Sequence, residues 1–137
     1  IYATVAGDLP SAAARAQVVS CATTSTVPLV QGAWLAAGTH LDLVGGFRRD
    51  MREVDDAAVA RARVAVDTYA GALAEAGDLV QPIEAGVVAR GHVLADLAGL
   101  LRGERAVRRS ADDVTLFKSV GTALEDLAAA RLVAAGV

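Results

Sequence analysis

Three stretches hold residue types at spacings that could do chemistry. The longest runs from His40 to Asp55 and reads His-Leu-Asp-Leu-Val-Gly-Gly-Phe-Arg-Arg-Asp-Met-Arg-Glu-Val-Asp. Leu41 to Val44 is a short, mostly apolar run ending in Gly45-Gly46, the pattern of a buried strand breaking into a loop. Glycine lets backbone approach a ligand with no Cβ in the way, and open α/β sheets bind ligands beyond the carboxyl ends of their strands. The second stretch, Thr23-Thr24-Ser25-Thr26, follows the short apolar run Val18 to Ala22. Its hydroxyls could bond a phosphate, a ribose or an amide, or could satisfy their own loop. The third is Ser119-Val120-Gly121, where a Ser-capped helix start presents free N–H groups to a polar ligand, or simply caps itself. Taken alone, the glycine pair favours a tight turn and the hydroxyl run a self-satisfied loop over a ligand site.

Other chemistries find no support. GxGxxG, GxSxG, P-loop and HExxH patterns are all missing. His40 and His92 lie far apart and fit packed or exposed roles. The pairs Asp55-Asp56 and Asp112-Asp113 are neighbours in sequence rather than convergent, which suits caps and solvated charge. A lone cysteine, Cys21, makes no internal disulfide, and without CxxC or a Cys/His cluster no metal site is expected; a reducing cytoplasm is. The net charge of -3 leaves no footprint for nucleic acid. Ala16 to Leu41 carries no charge and is long enough for a bilayer, yet it holds Gln17, Ser20, Thr23 to Thr26, Pro28 and Gln31, so no membrane span is expected.

The elements that must position these stretches follow from a 137-residue, 54% hydrophobic chain with few aromatics, enough for one aliphatic domain. Strands are predicted at Val18 to Ala22, Leu41 to Val44, Arg63 to Asp67 and Val114 to Phe117. Between them, Asp8 and Pro10 open a short helix, Trp34 anchors an irregular segment, and Asp55 or Asp56 caps another helix. Thr68 to Ala76 is predicted helical with Gly77 as its C-cap, Gln81 to Val88 less regular, and His92 to Leu101 helical up to Gly103. Residues 103 to 113 carry mixed charge and read as a solvated loop. A last helix is expected from Ser119 to about Val133, with Val120, Leu124, Leu127 and Ala128 as its apolar stripe. This alternation is the rhythm of a parallel βαβ sheet with right-handed crossovers.

Several pieces together resemble the ornithine cyclodeaminase and mu-crystallin family. They are Val18 to Pro28, Gly38 to Gly46, Met51 to Asp55, Ala72 to Asp78, and Thr115 to Asp126, in the family's order and spacing from about residue 8 to about residue 133. The resemblance implies an α/β fold: an incomplete Rossmann-like parallel sheet with flanking helices and a C-terminal helix. It implies that residues 1–137 are the C-terminal half of an NAD(P)-binding domain. The substrate and dimerisation domain and the GxGxxG unit are then expected in a longer parent protein, in keeping with a first residue, Ile1, that is not Met.

The cofactor implied is NAD or NADP. Thr23 resembles the threonine on the loop beside it, and Val44, Gly45 and Gly46 the strand end under the nicotinamide, with Phe47 and Met51 on the same loop. Ser119 resembles the serine that bonds the carboxamide side, and Glu75 a glutamate near the substrate pocket. Ornithine cyclodeaminases carry an aspartate where this chain has Phe47 and a lysine where it has Met51. A phenyl ring cannot move a proton, so the pattern is more similar to reductases of Δ1-pyrroline-2-carboxylate and Δ1-piperideine-2-carboxylate, making L-proline and L-pipecolate. Ornithine cyclodeaminase, alanine dehydrogenase and a non-catalytic, mu-crystallin-like NADPH binder are the alternatives. The cation that would hold the imino acid's carboxylate is expected outside these residues, so no catalytic residue is assigned. The partners implied are a small imino acid and, in a homodimer, a second copy. The sheet edge at Val18 is expected to be apolar and uncovered.

Overall fold

The structure, a computed structural model, describes residues 2–136. Five short strands, β1 (Val18–Cys21), β2 (His40–Leu43), β3 (Arg63–Val66), β4 (Val93–Asp96) and β5 (Thr115–Lys118), pair in parallel in the order β1-β2-β5-β3-β4. The last strand of the chain therefore lies at the centre of the sheet. It lies between β2 and β3, with Leu116 1% exposed.

Six α-helices connect and follow these strands: α1 (Leu9–Arg15), α2 (Asp56–Arg61), α3 (Tyr69–Glu75), α4 (Gly77–Glu84), α5 (Leu97–Leu101) and α6 (Ala123–Ala134). All but α4 start on an acid or hydroxyl whose side chain accepts an orphan N–H of the first turn: Asp8, Asp55, Thr68, Asp96 and Thr122. Asp55 does more. Its Oδ1 also takes the N–H of Gly32, 2.8 Å away, and so ties α2 to the 3-10 turn Gly32–Trp34.

The strands alternate their side chains between two unequal faces. On one, Leu41, Leu43, Val64, Val66 and Leu116 pack against Ala58 and Val59 of α2, Ala72 of α3 and Leu79 of α4, with Trp34 half-buried beside them. The other has only a small cluster of Ala65, Ala95 and Val107, with Leu94, Leu100 and Phe117 packed on it. Towards β1 that second face opens into a groove of about 560 Å³ lined by Val18, His40, Leu100 and Phe117, among others. Val18 is 60% exposed, so the uncovered apolar edge expected there is present. Among the described residues, no helix is long and apolar enough to cross a membrane.

The parallel α/β reading holds, and four local expectations are corrected. Residues 92–101 are not one helix: Val93–Asp96 form β4, and Asp96 then caps the five-residue α5 through Gly99 N–H. Short apolar runs fit strand and helix alike, and here pairing with β3 decides. Gly77 does not cap α3. It opens α4, a helix that includes Pro82, and it is glycine because a Cβ there would strike the carbonyls of Met51, Arg48 and Arg49.

Ser119 does not cap the last helix. Gly121, at φ +83°, turns the chain, and Thr122 caps α6 in a reciprocal box with Glu125. The expected stripe on that helix faces solvent: Leu124 is 76% and Leu127 53% exposed, whereas Val120, before the helix, packs on the main core.

Candidate functional site

Because β1, β2 and β5 are adjacent and parallel, they end on one rim. The register places Cys21, Leu43 and Lys118 side by side, so the next residues, Ala22, Val44 and Ser119, leave the sheet at the same level. Backbone bonds carry the alignment past the strands: Val44 N–H donates to Cys21 O at 2.8 Å and Ser119 N–H to Leu43 O at 3.0 Å. The structure thus brings Thr23, Val44 to Phe47 and Ser119 together.

At the middle of this rim, Val44 and Phe47 are 48% and 43% exposed and flank the buried Gly45 and Gly46. They form an apolar ledge. Gly45 is required by packing, since a Cβ would collide with the backbone of Thr23 and with Glu53 Oε1. Gly46 adopts φ +51°, in the left-handed region, and its missing Cβ leaves room for Asp78 Oδ2.

The hydroxyls on either side differ in what they have left to give. Thr23 Oγ1 accepts Ser25 N–H at 3.3 Å, and among the described residues its own hydrogen has no acceptor. Ser25 spends its hydroxyl on the carbonyl and N–H of Val27. Ser119, 8% exposed, donates to Asp67 Oδ2 at 3.1 Å and accepts Gly121 N–H at 3.1 Å. A hydroxyl has one hydrogen and two lone pairs, so Ser119 keeps one acceptor position and Thr23 one donor.

Two further residues picked from the sequence lie off the ledge itself. Met51 is 6% exposed and buried behind the loop rather than on the ledge. Glu75 is exposed at the last position of α3, two residues before Gly77, whose N–H donates to Gly46 O at 3.2 Å. Reading the sequence also missed four groups on or under this rim.

Asp67, at the end of β3, is 4% exposed. Its Oδ2 accepts Ser119 Oγ–H and the N–H groups of Val120 and Gly121 at 2.8 to 3.1 Å, holding the turn after β5. Glu53, Asp78 and Lys118 are fully buried beneath the glycines. Lys118 Nζ donates to Gly45 O and lies 3.4 Å from Asp78 Oδ2 and 3.9 Å from Glu53 Oε2. These four come from 53 to 118 in sequence, and only the parallel pairing gathers them; the one local hint is a lysine ending an apolar strand.

Cys21 adjoins this cluster. Burial, then the charges of Glu53, Asp78 and Asp42, push its thiol up to about 11 against the opposing pull of Lys118. It stays protonated and is no nucleophile at neutral pH. Among the described residues, no group of three or more His, Cys, Asp or Glu could hold a metal ion.

A five-stranded parallel sheet of this order, with its glycine turn, hydroxyls and apolar ledge on one carboxyl rim, defines a Rossmann-like α/β fold. The particular family follows from comparison with known proteins. The model of the ornithine cyclodeaminase/mu-crystallin family matches residues 1–136, and the chain belongs to that family. It is 48% identical over 116 residues to Protein SAR DEFICIENT 4 of Arabidopsis thaliana, covering 85% of this chain and 35% of that protein. It is 44% identical over 127 residues to the Δ1-pyrroline-2-carboxylate reductase of Paracoccus denitrificans, covering 93% of this chain and 40% of that one. The solved Δ1-pyrroline-2-carboxylate reductase of Thermococcus litoralis, in complex with NADH and L-proline, superposes with a TM-score of 0.87 at 39% identity, over 90% of this chain and 38% of that one. The chain therefore spans well under half the length of these relatives.

Proposed function

We propose that these residues form the nicotinamide side of an NAD(P)H-dependent ketimine reductase, a longer, cytoplasmic, homodimeric protein that reduces Δ1-pyrroline-2-carboxylate or Δ1-piperideine-2-carboxylate to L-proline or L-pipecolate. The observation that carries this reading is the rim itself: three strand ends in register, an apolar ledge at Val44 and Phe47, and a free donor and a free acceptor on opposite sides. Two strand spacings separate β1 from β5, roughly 10 Å, the scale of a nicotinamide with its ribose.

The bound cofactor supplies the hydride that reduces the C=N carbon. This chain's part is to hold and to exclude. Thr23 donates to a polar edge of the cofactor. Ser119, kept in place by Asp67, accepts from the carboxamide N–H. Val44 and Phe47 pack against the flat ring and keep water from it. Phe47 carries no exchangeable proton, so the imine nitrogen takes its proton from elsewhere, and the deamination of an open-chain diamino acid has no base at this position.

The reading is tested on the full-length polypeptide carrying these residues. NADH or NADPH is expected to be oxidised when either cyclic imine is added, with no ammonia released from ornithine. Phe47→Asp is expected to lower imine turnover. Ammonia release from ornithine by the wild type, with neither imine turned over, would contradict the reading.

A further inference from the structure

The buried Lys118, Glu53 and Asp78 are not accounted for by the rim's outward chemistry. Burying a charge is costly unless it is paired and hydrogen-bonded, and a buried ion cluster is poor evidence for stability as such. Here the pairing is incomplete. Among the described residues, Glu53 Oε2 and Asp78 Oδ2 have no hydrogen-bond partner, while their sister oxygens are well used. Glu53 Oε1 accepts Thr23 N–H at 2.6 Å, and Asp78 Oδ1 accepts the N–H groups of Glu53 and Val54 at 2.8 and 3.0 Å. Each carboxylate thus faces backbone with one oxygen and Lys118 with the other. The ammonium between them has its hydrogen-bond acceptor in the carbonyl of Gly45.

This geometry joins everything that borders the glycine pair. Thr23 on one side, the Glu53-Val54 segment below and Gly46 above all reach the same ammonium through one residue. The far end of the turn is closed by Gly77 N–H donating to Gly46 O at 3.2 Å. Two adjacent glycines have the widest backbone freedom of any dipeptide, and Val44 and Phe47 point wherever that dipeptide sends them. A hydrophobic isostere of Lys118 could fill the space but could not hold a carbonyl.

We propose that Lys118, Glu53 and Asp78 are positioning residues that fix the Gly45–Gly46 peptide, and through it the Val44–Phe47 ledge, at the angle the nicotinamide ring needs. The inference rests on the reductase reading for its catalytic consequence and on the cluster's own geometry for its structural one. The three side chains touch neither cofactor nor substrate; they act through the backbone. A displacement of about 1 Å in such a ledge costs on the order of 100-fold in rate.

The test is made on the full-length polypeptide with Lys118→Met and, because that variant risks failing to fold, with Glu53→Gln, which keeps the shape and the acceptor for Thr23. Hydrogen exchange is followed at residues 44–47 and at the strand amides of β2 and β5. Turnover is compared with affinity for ADP-ribose, which lacks the nicotinamide. The expected result is faster exchange confined to 44–47, with turnover down on the order of 100-fold for Lys118→Met, less for Glu53→Gln, and ADP-ribose affinity unchanged. Exchange accelerated evenly over the sheet, or unchanged at 44–47 in whichever variant folds, would overturn the proposal, as would wild-type turnover in that variant. Should the wild type reduce no imine, the reductase reading falls, while the exchange data still decide whether the cluster sets the turn.

Discussion

Two parts of the same rim are held by buried carboxylates, and they are held differently. After β5, Asp67 gathers three donors on one oxygen, and the turn 119–121 hangs from a satisfied acceptor. After β2, two carboxylates and one ammonium enclose the glycine turn, and among the described residues each carboxylate keeps an oxygen that meets the ammonium as an ion pair without a hydrogen bond. The first arrangement follows the rule that buried polar groups are hydrogen-bonded; the second departs from it at the place where the cofactor ring is expected to rest. A satisfied clamp suffices to hold a turn. An under-satisfied cluster marks a position where orientation matters more than stability.

The largest effect expected from breaking this contrast is that of Lys118→Met. It leaves two carboxylates buried without their cation and is expected to cost about 3–5 kcal/mol in denaturant unfolding. Asp67→Asn keeps one acceptor oxygen for the turn, without its charge, and sets an amide NH2 against the N–H of Thr68; it is expected to cost about 1–3 kcal/mol. In the hydrogen-exchange pattern it should loosen 119–121 and leave 44–47 protected, the reverse of Lys118→Met. Gly46→Ala forces a side chain into the left-handed region and against Asp78, and is expected to cost about 1–2 kcal/mol by the same unfolding measurement.

The smallest effect is a pH dependence away from the rim. Burial lowers the His40 imidazole below its ordinary 6.5, with Arg108 adding to the shift and Asp42 opposing it. The folded chain thus takes up this proton less readily than the unfolded chain. The stability linked to His40 is full above pH 6.5 and is lost as pH falls through the lower folded value. A thermal melt series in wild type and His40→Gln checks this: the decline below pH 6.5 should shrink in the variant.

Much of the rim could be read from the chain. Strands near Val18, Leu41, Arg63 and Val114 announce themselves as short aliphatic runs between turn residues, and a parallel rhythm then puts their ends on one side. Thr23, Gly45, Gly46, Phe47 and Ser119 are visible because they lie at those ends. β4 was hidden because Val93, Leu94, Leu97, Leu100 and Leu101 satisfy a helical period as well, and pairing with β3 is a long-range fact. Gly77 looks like a helix stop until the carbonyls of residues 48 to 51 are seen pressing on it. Glu53, Asp78 and Asp67 had no local signal and Lys118 only the hint of a lysine ending an apolar strand, since a single charged residue in such a stretch usually marks a solvated position. Their role depends on neighbours 24 to 73 residues away. Sequence pattern shows which residues end a strand; it does not show what is buried under that end.

The claim on which the rest depends is that the rim of β1, β2 and β5 receives the nicotinamide. Amide NMR of the full-length polypeptide during titration with NADH tests it directly. The account predicts that, within these residues, shifts concentrate at Thr23, Val44 to Phe47 and Ser119 and are absent when ADP-ribose replaces NADH. Equal shifts with both ligands, or shifts at the opposite ends of the strands around Arg63 and Thr115, would contradict it.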